Sequence, residues 1–308
     1  MNQFKRGLAA LATVGALSAA GSANAAFLLD DWQIDFSVAA LGITGGPVVG
    51  GTSATSGIDF MGFNDSPISV TFTDLGAVGY GPGDIYTVRT RGFMASFNDT
   101  VTGSVTPPLL NYNGTYFGQD GFELTYDAVL TVEVTGGTAA APIWKHIVGA
   151  GDYLDFYIDD LSDGSKATPG TGLGYTDGVK VLTFGSVEGD GGSANVAGTL
   201  NGSDDATFIL TDVWLAGVFK TLGGAELTPG LTIGLVDSNF DLDSDNNKKL
   251  DETRGGYGCT ATNQSLAFFC GVEDGTFRLA TTVPAPATLG LLGAGLLGLA
   301  AAGRRRKV

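Results

Sequence analysis

The sequence has one histidine and two cysteines, and these shortages exclude much chemistry. A lone imidazole, His146, removes catalysis that needs an imidazole pair and metal sites built mainly from histidine. It stands among Ile143, Trp144, Lys145 and Ile147, where a histidine reads as structural. Basic residues are scarce too, with 16 Lys and Arg against 32 Asp and Glu and a net charge of −16. No basic stripe exists to neutralise phosphates, which argues against nucleic acid as a partner. Long helical runs are missing from the body. The 308 residues include 49 Gly and 10 Pro, and each interior Gly costs a helix roughly 1 kcal/mol relative to Ala. There is no G-x-S-x-G elbow, no H-E-x-x-H and no Walker loop. Only six acids are Glu, and none stands out as half of a catalytic pair. No catalytic residue is assigned, and the chain reads as a non-enzyme.

What is present begins at the two ends. Lys5 and Arg6 precede an uncharged run from Gly7 to Gly21, and Ala23-Asn24-Ala25 supplies the small-x-small pattern of a signal cleavage site. Residues 1–25 therefore read as a secretory signal helix, cut before Ala26 and passed through the Sec translocon. The run is short for a membrane span, which needs about 20 apolar residues. At the other end, Val283-Pro284-Ala285-Pro286 leads into 16 uncharged residues, Thr288 to Gly303, and then Arg304-Arg305-Arg306-Lys307. Sixteen helical residues span about 24 Å at 1.5 Å each, slightly under a hydrocarbon core of about 30 Å. The basic tip stays cytoplasmic, so the exported body faces outward. The alternative is a permanent C-terminal anchor. Without both ends the body keeps 10 basic and 32 acidic residues, a charge of −22.

This three-part terminus resembles the PEP-CTERM sorting signal of Gram-negative bacteria over residues 283–307, with Ala285 where that family usually carries Glu. The resemblance implies recognition near Val283, Pro284, Ala285 and Pro286 by an exosortase, a membrane cysteine protease-transpeptidase. It also implies a transient stay in the inner membrane and delivery to the cell surface or the exopolysaccharide matrix.

Between the ends, residues 26–282 read as one acidic body. Period-2 alternation marks strands at Trp32–Phe36, Ile68–Phe72, Ile85–Phe97 and Phe122–Tyr126, continued by Leu130–Val134 after an apparent slip. Shorter candidates are Ile143–Val148, Tyr153–Ile158, Val179–Phe184, Thr207–Leu210, Leu231–Val236 and Phe277–Ala280. Some ten strands bounded by turn residues predict an all-β fold, an antiparallel, jelly-roll-like β-sandwich, in preference to a closed barrel. Asp212 to Phe219 admits a helical turn but reads better as a strand end running into a loop. The Gly-rich stretches Gly42–Gly57 and Asp159–Gly178 read as loops.

Three features of the body suggest chemistry. Asp241, Asp243, Asp245, Asn247 and Glu252 have the spacing of an EF-hand-like loop, where alternate side chains of a tight turn converge and a distal Glu binds with both oxygens. Calcium is the ion this spacing implies; a solvated acidic loop is the plainer reading. Asp155, Asp159, Asp160 and Asp163 form a second, weaker candidate. Cys259 and Cys270, exported together, read as a structural disulfide worth about 3 kcal/mol by loop entropy, with free thiols or a redox pair as alternatives. The run Asp152-Tyr153-Leu154-Asp155-Phe156-Tyr157 interleaves acids with aromatics that can stack sugars.

Asp155–Asp159 and Asp177–Ser186 loosely resemble flocculation-associated PEP-CTERM proteins. That resemblance implies an acidic β body acting with exopolysaccharide. The functional expectation is an exported structural or adhesive protein of a biofilm or floc; the alternative is a secreted polysaccharide-acting hydrolase or a carbohydrate-binding protein.

Overall fold

The computed structural model describes residues 25–36, 38–41, 54–72, 81–105, 122–138, 140–160, 167, 174–195, 200–242, 257 and 268–283. These contain β1 (Ala25–Leu28), β2 (Trp32–Asp35), β3 (Ala54–Ile58), β4 (Phe60–Phe72), β5 (Ile85–Asp99), β6 (Gly103–Val105), β7 (Phe122–Thr138) and β8 (Ala141–Ile147). They continue with β9 (Tyr153–Asp160), β10 (Val179–Ser186), β11 (Gly192–Asn195), β12 (Asn201–Val213), β13 (Phe219–Lys220), β14 (Thr232–Asp241) and β15 (Phe268–Val283). A single 3-10 turn, Ala39–Leu41, is the one helical element among the described residues. The all-β, antiparallel expectation is met. Leu28–Ala280 form one compact unit; Met1–Phe27 and Thr281–Val308 form a second, described only at 25–27 and 281–283, which are extended. The signal helix and membrane helix expected at the ends lie outside the described residues. Among the described residues no helix is long and apolar enough to cross a membrane.

The large sheet runs β10-β9-β7-β8-β11-β12-β14-β15-β4-β5-β6, with two further pairings, β10–β12 and β7–β5. Those two pairings close it. Starting from β4, the hydrogen-bonded neighbours are β5, β7, β9, β10, β12, β14, β15 and β4 again. The two layers expected of a sandwich are thus one continuous sheet wrapped around a common core. One side of the ring is split. The first half of β7 pairs with β9 and the second half with β8. Likewise β12 pairs with β10 at its end and with β11 at its start, and β11 meets β8 at Ser193 and Ile143. Closure satisfies backbone groups that an open sheet leaves at its edges.

Alternation decides what fills the ring. Leu124, Tyr126, Ala128, Leu130, Val132 and Val134 of β7 are all buried, so Ala128 carries the period through the region where the sequence suggests a slip. The irregularity comes later, between Val134 and Gly136. One apolar cluster gathers Met61, Phe63, Phe156, Phe184, Phe208 and Phe277, with Phe156 and Phe277 ring centroids 4.9 Å apart. A small sheet, β13-β2-β3, packs on this cluster through Trp32, Ile34 and Phe219. A second cluster holds Ile68, Val70, Tyr86, Val132, Val134, Trp144, Leu200 and Leu242.

Two loop expectations change. The end of Gly42–Gly57 belongs to β3, which pairs with β2 through Ile34 and Thr55; residues 42–53 lie outside the described residues. Asp159 and Asp160 finish β9, and Ala167 and Tyr175 meet the outer face of β7. Ala167 N donates to Glu123 Oε1 at 2.6 Å, and Thr125 Oγ1 donates to the Tyr175 carbonyl at 2.8 Å. Asp212 and Val213 end β12 with no helix after them, as the plainer reading of that segment has it.

Candidate functional site

Strand pairing sets a polar row across the outside of the ring. Arg91 of β5 lies opposite Asp127 of β7, Asp127 opposite Asp155 of β9, Asp155 opposite Thr183 of β10, and Thr183 opposite Asp212 of β12. Two facing carboxylates repel across a sheet, and here each has its own cation. Arg91 Nε donates to Asp127 Oδ1 at 3.1 Å, and Lys180 Nζ donates to Asp155 Oδ2 at 2.5 Å. Thr183 Oγ1 adds a bond to Asp155 Oδ1. Burial lowers the affinity of Arg91 for its proton, but Tyr257 and Asp127 more than reverse this.

Aromatic rings flank the row. Tyr153 OH donates to Asp127 Oδ2 at 2.5 Å and Tyr157 OH to Asp155 Oδ2 at 3.4 Å. Burial, together with these carboxylates, pushes both phenols well above their ordinary range, so both stay protonated donors. Trp214 follows β12 and is 60% exposed, yet it is fixed at two points. Its indole Nε1 donates to Thr183 Oγ1 at 2.8 Å and its backbone N to the Val181 carbonyl at 3.0 Å. Lys180 Nζ lies 5.5 Å from the Trp214 ring centroid and 5.6 Å from that of Tyr157, within cation–π range of both. The result is a rigid, half-exposed platform of Tyr153, Tyr157, Lys180 and Trp214. Such a surface can stack an apolar ring face while offering hydrogen bonds around it.

The sequence points to Tyr153, Asp155 and Tyr157 as one run. It misses Arg91, Lys180 and Trp214, because only pairing between distant strands brings them there. Asp155 is not a free cation ligand, as the weaker acidic candidate requires: Lys180 and Thr183 occupy its oxygens. Asp159 is buried, and Asp163 lies outside the described residues. Among the described residues no group of three or more His, Cys, Asp or Glu could hold a metal ion. Of the EF-hand-like set, Asp241 ends β14 opposite Asn201; Asp243, Asp245, Asn247 and Glu252 lie outside the described residues.

The remaining sites can be placed briefly. Ala25 and Ala26 begin β1, and Ala23 lies outside the described residues. Val283 is the last residue of β15, with Pro284, Ala285 and Pro286 beyond the described residues. Cys270 is fully buried in β15 and disulfide-bonded; Cys259 is outside the described residues. His146 is buried, as its apolar neighbours suggest, and its Nε2 sits 3.0 Å from Asp204 Oδ2. Burial alone would lower its pKa, but the Asp204 carboxylate raises it above the ordinary value.

No curated protein matches this chain. Among solved structures, one described as a nonspecific heme-binding cyclase that catalyses a 4 + 2 cycloaddition during neoabyssomicin biosynthesis aligns over 77% of this chain and 78% of its own. The identity is 12% and the TM-score 0.25, too low to assign the fold. The family model for the PEP-CTERM protein-sorting motif matches residues 282–307. That span takes in the Val-Pro-Ala-Pro stretch, the apolar run and the Arg-rich tip. The body thus precedes a C-terminal segment whose role is sorting, and the chain carries the PEP-CTERM motif of exported surface proteins processed by exosortase.

Proposed function

We propose that the body is a non-enzymatic component of the cell surface or its extracellular matrix, and that the platform around Trp214 holds polysaccharide. The observation that carries this reading is Trp214 itself. Its ring is exposed to solvent yet locked beside Tyr157 and Lys180, so three groups form one fixed face rather than a lone surface side chain. Exposed, rigid aromatics bind a partner's ring face at low entropic cost. Lys180, held in place by Asp155, supplies charge-assisted hydrogen bonds to hydroxyl groups at its rim. The sorting motif supports the setting, because exosortase substrates meet extracellular polymer.

A hydrolase finds less support. The carboxylates on the platform are each neutralised by a cation, and the Glu273 carboxyl is enclosed in the core, out of reach of a polymer. Two further parts of the reading concern the outside environment. The Cys259–Cys270 pairing is proposed on the bonded state of Cys270 and the count of two cysteines. Calcium is proposed at the loop that leaves β14 at Asp241.

The platform is tested by replacing Trp214 with Ala in the exported protein and measuring binding to the producer's own exopolysaccharide by co-sedimentation. Loss of the ring should weaken binding roughly tenfold, about 1.4 kcal/mol. Undiminished binding by Trp214→Ala, with wild-type unfolding behaviour, overturns the platform.

A further inference from the structure

A belt of polar side chains crosses the inside of the ring where its two apolar clusters meet. In β4, Ser66 lies between Phe63 of one cluster and Ile68 of the other. In β12, Asp204 lies between Leu200 and Ala206, and in β5, Thr90 lies between Tyr86 and Met94. Ser238 of β14, Tyr126 of β7, His146 of β8 and Glu273 of β15 complete the belt.

Glu273 faces inward because unbroken alternation along β15 puts it on the same face as Phe277 and Leu279; the register slip beside it is taken up by an extra residue in β4. It accepts a hydrogen bond from Thr90 Oγ1 at 2.8 Å. Asp204 accepts from Trp144 Nε1 at 2.8 Å and contacts His146 Nε2 at 3.0 Å, while Ser238 Oγ donates to the Asp204 carbonyl at 3.2 Å. Glu273 and Asp204 both line a cavity of about 30 Å³, otherwise walled mainly by apolar groups such as Phe63, Phe156, Phe208 and Phe277. Tyr126 also lines it, and its fully buried hydroxyl lies near Ser66 and Thr90 but makes no well-aligned hydrogen bond to protein atoms. The space suits water and nothing much larger, since one water needs roughly 10–15 Å³ of such volume.

We propose that this belt is a hydrated proton-binding site, in which cavity water links Tyr126 OH, the Glu273 carboxyl and the Asp204–His146 pair, and that loss of the Glu273 proton loosens the ring of strands. The groups facing Glu273 are Thr90 from β5, Tyr126 from β7, Ser66 from β4, Ser238 from β14 and Asp204 from β12, with Asp274 next to it in sequence. His146 faces Asp204, and the charges of Asp190 and Asp152 act on it as well. Burial and the neighbouring carboxylates Asp204 and Asp274 raise the Glu273 pKa to about 7, while Ser238 and Thr90 oppose them. Below that pH the carboxyl is neutral and fits its apolar walls. Above it, an anion stands beside Asp204 in a space that holds very little water, and opening the ring of strands relieves it.

The protein is unfolded thermally across pH 5 to 8.5, as wild type and as Glu273→Gln. The Tm of the wild type should fall by about 6–12 °C more than that of Glu273→Gln across this range. Parallel pH profiles overturn the proposal. If Glu273→Gln does not fold, the carbon-13 resonance of the Glu273 carboxyl in the folded wild type decides. A midpoint near neutrality supports the site and one below pH 5 refutes it. Tyr126→Phe should move that midpoint upward, because the water that solvates the ionised form loses a partner; an unmoved midpoint removes the water link.

Discussion

At the scale of single residues, two buried carboxyls respond to pH in opposite directions. Asp59, between β3 and β4, accepts from Asp31 N at 2.9 Å, Thr100 N at 2.7 Å and Thr100 Oγ1 at 2.5 Å. Burial pushes its pKa up, but these three donors outweigh it and hold the carboxyl below its ordinary value. Its contribution is therefore present above the unfolded pKa of about 4 and is lost as pH falls through the folded value. It also anchors Asp31, whose φ of 57° is unusual for a residue with a side chain. Asp59→Ala should cost roughly 2–3 kcal/mol by stranding these donors, seen as a lower urea midpoint at pH 7, with the deficit shrinking as pH approaches 3. A deficit that stays constant with pH would show that the charge contributes nothing. Glu273 has the opposite sign. Its folded pKa of about 7 lies above the unfolded 4.5, so its contribution is full below pH 4.5 and lost by about pH 7. That difference corresponds to about 3 kcal/mol. His146, also raised, loses its contribution as pH rises through its folded pKa, above 6.5.

At the scale of elements, the polar belt depends on close approaches that only small residues permit. Gly92 of β5 is the clearest. A Cβ there would collide with Ser66 Oγ and come within 2.7 Å of Tyr126 Cε1. Gly92→Ala should therefore destabilise by about 1–3 kcal/mol through overpacking, measured by urea unfolding, although Ala favours a strand more than Gly does. A neutral or stabilising result would mean that Ser66 and Tyr126 have room to move. The same elements show what the sequence makes legible. Alternation locates β2, β5, β7, β9 and β10 because their inward residues recur every second position. It falls short in β12, where the inward positions Gly202 and Asp204 carry no apolar signal. Pro67 gives no strand signal either, yet it sits within β4 where the register slips against β5, a place a proline tolerates. Ring closure rests on β10–β12 and β7–β5, pairings between strands that do not follow one another, and no local pattern encodes them. Glu273 is concealed for a related reason. Alternation with Phe277 and Leu279 does place it inward, but an acid followed directly by Asp274 reads as surface. On the outer face, Tyr153 and Asp155 were visible as a run, while Trp214 owes its place to β12 ending against Val181.

At the scale of the whole molecule, charge and sorting act together. The 10 basic and 32 acidic residues between Arg6 and Arg304 sum to −22, while basic residues mark both ends, so the sorting motif's Arg-rich tip and the acidic body carry opposite charge. An acidic body repels anionic surfaces and draws cations, and the acidic run after Asp241 is where the proposed calcium is tested. Asp241 is held in register opposite Asn201, and Leu242 beside it is fully buried, so the first ligand of the proposed site is fixed in place. Asp243, Asp245, Asp251 and Glu252 follow, with Lys248, Lys249 and Arg254 as the nearby basic residues. Extracellular modules commonly bind calcium with Kd of about 10⁻⁴–10⁻³ M. At ten times Kd, binding adds RT ln 11, about 1.4 kcal/mol, which raises the Tm of a domain of this size by roughly 3–5 °C. Calcium should produce that rise in the wild type, and Asp243→Ala combined with Asp245→Ala should abolish it while leaving the calcium-free Tm nearly unchanged. Magnesium serves as the control, because it is smaller than calcium and demands near-ideal octahedral geometry. An equal rise with magnesium that survives both substitutions would reduce the effect to screening of the body's charge, and the loop would then be a solvated acidic segment.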